Sequence, residues 1–470
     1  MKSSSRLFLL KNMHQRHYIF SQKAKSLRSK RYSSLKGFSS IKCLALIACI
    51  GSIIGCSKTD LSQPATISDH QMQLSASRTV HEARRVNISN TAQLYAELYN
   101  PANHGSTLVL APGIYRLNSN YPRAGRIELG HNMSLIGQPG NAGAVVIDVS
   151  DLPASSYIIP PTLTYPSQLR TAPVRVGNGY NSIEWITFTN NPSNILRSMI
   201  QTDIVAKQNA SDPAPLAQVR VAHTIIKNSS IGLNILNRDA VSNGRVLEAQ
   251  IEHNEVTDNT QAPFGSGIQI QNSAGVTGAI IRVNLKANYL HRNRQGLNLF
   301  NSSSKGNNKI IARSISDRLE FNGLGLLLTG GLNSTEGAAQ VIGNFIDFEA
   351  NAASIRNNGG EPAPISNYLP GGVFIAGGNV GRLPPITGLP GTVISNTVMA
   401  VLKGCRIENN LGNTDINVFG AYSSLTSPLP AGINNSSVLV LQGISKQASV
   451  NSVASFPVEL AGTNTVTVQQ

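Results

Sequence analysis

The decapeptides Leu290-His-Arg-Asn-Arg-Gln-Gly-Leu-Asn-Leu299 and Leu319-Glu-Phe-Asn-Gly-Leu-Gly-Leu-Leu-Leu328 stand 29 residues apart and share one plan. An apolar residue is followed three positions later by Asn, then by Gly, apolar, any residue, apolar. Toward the N-terminus the plan returns as Val256, Asn259, Gly267, Ile268, Ile270, with five extra residues in the turn. It returns again as Ile225, Asn228, Gly232, Leu233, Ile235. Toward the C-terminus, Phe348 with Asn351 and Ile407 with Asn410 keep its first half. The Asn residues are separated by 31, 34, 29, 29 and 59 positions, the last close to twice the period.

A period near 30 also marks leucine-rich and ankyrin repeats, but those place helices between their strands. No helical pattern is legible between these. A single coil cannot bury its own apolar residues, whereas stacked coils align like with like. Asn side chains stacked at roughly 4.8 Å can hydrogen-bond to one another and to the turn backbone. The Gly is expected to permit a tight turn at positive φ. The reading is an all-β, single-stranded parallel β-helix over residues 87–470, with another β-solenoid as main competitor and a propeller behind it.

The flanks agree. Asn87 to Asn100 (NISNTAQLYAELYN) opens with capping residues and sets Leu94 and Leu98 at helical spacing. A short helix here would cover the open end of the stack. Then come Leu108-Val-Leu-Ala-Pro-Gly-Ile-Tyr-Arg-Leu117, Ile127-Glu-Leu129, Met133-Ser-Leu-Ile-Gly137 and Ala144-Val-Val-Ile-Asp148, short apolar strands punctuated by Gly, Pro and Asn. This run resembles the first coils of the pectate-lyase-like superfamily, which implies a right-handed β-helix. Pro- and Gly-rich stretches near 150–175 and 357–392 read as loop insertions that wall a groove.

Residues 1–56 hold 11 of the 39 Lys and Arg and none of the 24 Asp and Glu. The rest is nearly balanced, which argues against nucleic-acid binding, since phosphate neutralisation needs a basic patch on the folded part. Within this leader, Ile41 to Gly55 (IKCLALIACIGSIIG) is too short for a span and is followed by Cys56. It resembles a bacterial lipoprotein signal, with Cys56 as the acylated first residue of the mature chain. Residues 1–55 are then the signal and 56–86 a flexible tether. The resemblance, with Ser57 following the Cys, implies a lipoprotein of the cell envelope, in the outer membrane. Three of the four cysteines lie in the leader; Cys405 is alone in the body and reads as a small buried residue.

The repeat register yields candidate site residues. With the repeated apolar residue inward, its neighbours point outward. One outward column is then Glu255, Tyr289, Arg318, Asp347, and the next Thr257, His291, Glu320, Glu349. Tyr289, His291, Arg318, Glu320, Asp347 and Glu349 would form one polar patch with an acid, a base and a cation suited to a uronate. Asp347, Glu320 and Glu349 could also supply oxygen ligands to Ca²⁺. The plainer reading is a set of solvated ladder pairs. Of the superfamily's catalytic motifs only Asn413-Thr414-Asp415 is present, without its partner motifs, so no catalytic residue is carried over from the resemblance. Trp185, the one Trp of the chain, reads as core or cap.

Two functions follow. One is a tethered lyase, hydrolase or epimerase of acidic polysaccharides. The other is a non-catalytic surface module that binds glycan or serves as an adhesin or structural component. A polysaccharide partner, a membrane reached through Cys56, and a monomeric state are expected under either.

Overall fold

The computed structural model describes residues 84–470 apart from 154–156, 160–167, 171, 192–197, 204–216, 239–241, 262–263, 274, 303–305, 334–339, 365–367, 381–391, 413, 424–430, 445–447 and 457–462. The signal, Cys56 and nearly all of the tether lie outside the described residues, as does Asn413.

The chain is a right-handed parallel β-helix. Three sheets of 12, 9 and 10 strands carry the stack, and a complete coil contributes one strand to each sheet in turn. One coil runs Val246–Glu252 in the first sheet, Glu255–Thr257 in the second and Ser266–Asn272 in the third. The next starts at Ile280, which pairs in parallel with Val246. At about 4.8 Å per strand, the 12-stranded sheet runs about 50 Å along the axis.

Local pattern explains each strand. In Val246–Glu252 the residues Leu247, Ala249 and Ile251 are buried and their neighbours are half-buried. Leu285, Leu290, Leu297 and Leu299 of the next coil join them in one continuous core. The turn from first to second sheet has two residues. Its first is left-handed, as at His253 (φ 55) and Ala287 (φ 52). Its second stacks as a ladder: Asn254 Nδ2 donates to Asn288 Oδ1 at 2.9 Å, and Asn288 Nδ2 to Asp317 Oδ1 at 2.9 Å.

The ladder read from the sequence lies at the turn from second to third sheet. It runs Asn259, Asn293, Asn322, Asn358, Asn410. Each backbone N–H and side-chain Nδ2 donates to the Oδ1 of the next coil, at 2.9–3.2 Å from Asn293 to Asn358. Two members differ from expectation. Asn228 sits one place early, in the left-handed position (φ 58), and Ser229 takes the ladder place by donating its N–H to Asn259 Oδ1. Asn351 ends a first-sheet strand, and Asn358 replaces it. Nor does the repeated Gly serve positive φ. A Cβ on Gly296 would stand 2.7 Å from the Gly325 carbonyl oxygen and 3.0 Å from Asn322 Nδ2, so Gly is required by the close approach of coils.

The N-terminal helix spans Thr91–Leu98. Asn90 caps it by accepting from the Gln93 N–H, and Leu94, Tyr95 and Leu98 are buried on the stack. Residues 371–380, expected within a loop insertion, form a ten-residue strand of the third sheet, buried along its whole length. Its apolar residues pack on both faces, which hides the alternation expected of a strand.

Candidate functional site

The second sheet carries part of the patch read from the sequence. Glu255, Tyr289 and Arg318 stand in one outward column, and Thr257, His291 and Glu320 in the other. His291 Nε2 lies 3.1 Å from Glu255 Oε1 and its Nδ1 3.3 Å from Thr257 Oγ1. Its ring stacks on Tyr289 with centroids 4.1 Å apart, and the Arg318 guanidinium covers that tyrosine at 4.2 Å. Four of the six proposed residues therefore do meet.

Asp347 and Glu349 do not. They lie on Phe345–Asn351 in the first sheet, beside Ile311 and Arg313. The columns continue instead through Ser354 and Arg356, then Arg406 and Glu408. The offset arises because Phe348 and Asn351 imitate the apolar-to-Asn spacing that Ile355 and Asn358 fulfil. Asp347 pairs with Arg313 at 2.8 Å, and Glu349 with Lys403 at 2.8 Å. The three carboxylates offered to Ca²⁺ are thus split between two sheets and form no common ligand set. Among the described residues no cluster of three or more His, Cys, Asp or Glu is arranged for a metal.

Glu320 is only 1% exposed. It accepts from Arg318 Nη2 at 2.9 Å, Arg356 Nε at 2.9 Å and Ser354 Oγ at 2.8 Å. Burial acts to raise its pKa, but these hydrogen bonds outweigh burial and hold the carboxyl below its ordinary range. A carboxylate so saturated is a structural clamp rather than a proton carrier.

The third sheet differs in kind and is buried on both faces over most of its strands. Its strands 231–237, 266–272, 295–301, 324–333, 371–380, 416–423 and 450–456 contain no Asp, Glu, His, Lys or Arg. Between the core residues Leu233 and Ile235, Asn234 faces away from the core. Gln269 and Asn298 continue its column, and all three are buried. Asn234 Nδ2 donates to Ser198 Oγ at 3.2 Å, and Asn298 Nδ2 to Gln295 Oε1 at 3.0 Å. The oxygens Asn234 Oδ1, Gln269 Oε1 and Asn298 Oδ1 have no partner. Farther along, Leu327 and Phe374 take over the column. Phe374, Phe419 and Tyr422 then pack with ring centroids 5.0–5.4 Å apart. The outer side of these seven strands thus has an amide half and an aromatic half, and toward the N-terminus the column runs on through Gln201 to Arg175 and Glu128. Sequence reading missed it; the signal was the absence of charge from strands that carry outward residues.

Trp185 lies in neither core nor cap. It occupies the left-handed turn position (φ 59) and stacks on His223 with centroids 4.0 Å apart.

No family model and no curated protein matches this chain. Solved structures similar to it include two enzymes. The mannuronan C-5 epimerase AlgE4 A-module of Azotobacter vinelandii has a TM-score of 0.34 and 12% identity, over 82% of this chain and 98% of that one. The catalytic unit of a thermostable GH87 α-1,3-glucanase from Streptomyces thermodiastaticus has a TM-score of 0.26 and 13% identity, over 81% and 64%. Each activity is that protein's own.

Proposed function

We propose that the chain is a non-catalytic glycan-binding β-helix of a bacterial cell envelope, tethered to the membrane through lipid on Cys56. One observation carries the binding: Asn234 Oδ1, Gln269 Oε1 and Asn298 Oδ1 on the outer side of the third sheet are enclosed and without a partner, so a ligand reaches them by displacing what covers them. Buried acceptors without donors are costly, by about 1–3 kcal/mol each, unless a ligand or water satisfies them. They recur once per coil, so a ligand donating hydroxyls at a similar interval along its length fits them. A polysaccharide is such a ligand. In the aromatic half Phe374, Phe419 and Tyr422 are buried, and the exposed Phe456, stacked on Tyr422, is the ring open to a sugar face. The lack of any carboxylate, imidazole or cation on seven of these strands favours binding over bond breaking.

The test is calorimetric titration of the protein with neutral, N-acetylated and uronate oligosaccharides, repeated on Gln269→Leu/Asn298→Leu. Binding lost in that variant, with circular dichroism unchanged, supports the reading. Equal binding by both proteins refutes it.

A catalytic reading retains one specific support, the contact of Tyr289, His291 and Arg318. It requires unsaturated products or new reducing ends on incubation with a bound glycan, and their loss in His291→Ala. Turnover unchanged by that replacement would sink it.

A further inference from the structure

The turn position that precedes the first ladder holds Gly137, Trp185, His223, His253, Ala287 and Ser316 in successive coils. The register follows from Ile136, Glu184 and Ala222 pairing across the sheet, each one residue before its turn. From Trp185 to Ser316 every one of these residues has φ between 52 and 59. Trp is poorly suited to that backbone, because a bulky side chain at positive φ is strained. Small residues fill the same place at Ala287 and Ser316. The indole is therefore held there against local preference.

Its surroundings indicate a use. The Trp185 and His223 rings are parallel within 1°, and His223 stacks in turn on His253 with centroids 4.9 Å apart. One indole face is covered by this pile. On the other side the equivalent residue is Gly137, which has no side chain to set against the ring. Gly137, Gln138 and Pro139 also form one wall of a cleft of about 500 Å³. Its opposite parts are Asn87, Ser89 and Gln93 at the start of the helix, and Val109 to Pro112. Apolar surface predominates in the cleft; Asn87, Ser89 and Gln138 among its lining residues are exposed, while the Gln93 amide is bonded to Ser89 and to the Asn87 carbonyl. Trp185 is half-buried and does not itself line the cleft, which adjoins it through Gly137 of the preceding coil; a flat ring beside exposed amides and hydroxyls suits a pyranose, whose C–H face is apolar and whose hydroxyls are polar.

We propose that Trp185 and the cleft at Gly137–Pro139 form a second carbohydrate subsite, which stacks a single pyranose ring on the indole. It lies on the edge between the first and second sheets and is separate from the amide row of the third sheet. It shares with the proposed function the premise of a glycan ligand, but none of its residues.

Because Trp185 is the only Trp, its emission reports this subsite directly. The purified full chain is titrated with a cellulose hexamer, a chitin hexamer and a galacturonate hexamer. At least one is expected to shift or quench the emission saturably. Calorimetry on Trp185→Ala should then show that sugar bound about tenfold more weakly, or with one fewer site, and Trp185→Tyr should restore part of the loss. Emission unchanged by all three hexamers, or full affinity in Trp185→Ala, would overturn the proposal. The same titration on Gln269→Leu/Asn298→Leu separates the two sites. A surviving emission change there, with the third-sheet binding absent from both proteins, would refute the third-sheet reading and leave this subsite standing.

Discussion

Asp317 offers the sharpest test of the ladder account. It occupies the place that Asn254 and Asn288 fill in the two preceding coils. Its Oδ1 accepts from the Asn288 N–H at 2.7 Å and from Asn288 Nδ2, and its Oδ2 accepts from Ser314 Oγ at 2.6 Å. Ala353 follows in the next coil and continues no ladder. Burial raises the Asp317 carboxyl from 3.8 to about 6, and the hydrogen bonds from Ser314 and Asn288 only partly offset it. The folded state therefore binds this proton more tightly than the unfolded chain. The contribution of Asp317 to stability should be fully present below pH 3.8, be lost as pH rises through about 6, and level off above. A shift of this size corresponds to about 3 kcal/mol. Asp317→Asn removes the ionisation and keeps both Oδ1 bonds, and its amide can reach a carbonyl as Asn288 Nδ2 reaches Ile251 O at 2.8 Å. In urea denaturation followed by circular dichroism, the variant should match wild type near pH 4. It should exceed wild type by up to about 3 kcal/mol at pH 8. A variant no more stable at pH 8, or a gap independent of pH, would refute the assignment.

Three further outcomes are expected. Asn322→Ala strands the Asn293 N–H and should cost about 3 kcal/mol, whereas Asn351→Ala, at an exposed strand end, should stay within about 0.5 kcal/mol; denaturant midpoints compare them. Glu320→Gln should destabilise by about 2 kcal/mol above pH 4.5, because Arg318 and Arg356 lose their charged partner. That difference should vanish as pH falls through the depressed folded-state pKa, which equilibrium unfolding between pH 2 and 6 reads out. Metabolic palmitate should label wild type but not Cys56→Ala, and the variant should leave the membrane fraction; a labelled variant would end the lipoprotein proposal.

The coils were legible where the whole plan repeats without insertion. Asn293 and Asn322 were placed correctly because apolar, Asn, Gly and two further apolar positions constrain one another. Phe348 with Asn351 met only the first constraint, and any strand ending in Asn can do that. The true pair, Ile355 and Asn358, is followed by thirteen residues before Gly372, the partner of Gly325, which disguises the motif. Asn228 shows the finer limit, for Asn suits both the left-handed place and the ladder place. Four patch residues came together because they share correctly read coils. The third-sheet face stayed hidden because both its faces are buried, so alternation gives no signal. Trp185 was misjudged because a two-residue turn at positive φ leaves no mark in hydropathy.

The central claim is that a glycan lies along the outer face of the third sheet. A crystal structure with the tightest-binding hexamer tests it most directly. The account predicts sugar hydroxyls within about 3 Å of Asn234 Oδ1, Gln269 Oε1 and Asn298 Oδ1, at one contact per coil. A bound hexamer elsewhere, with those oxygens satisfied by water alone, would contradict it.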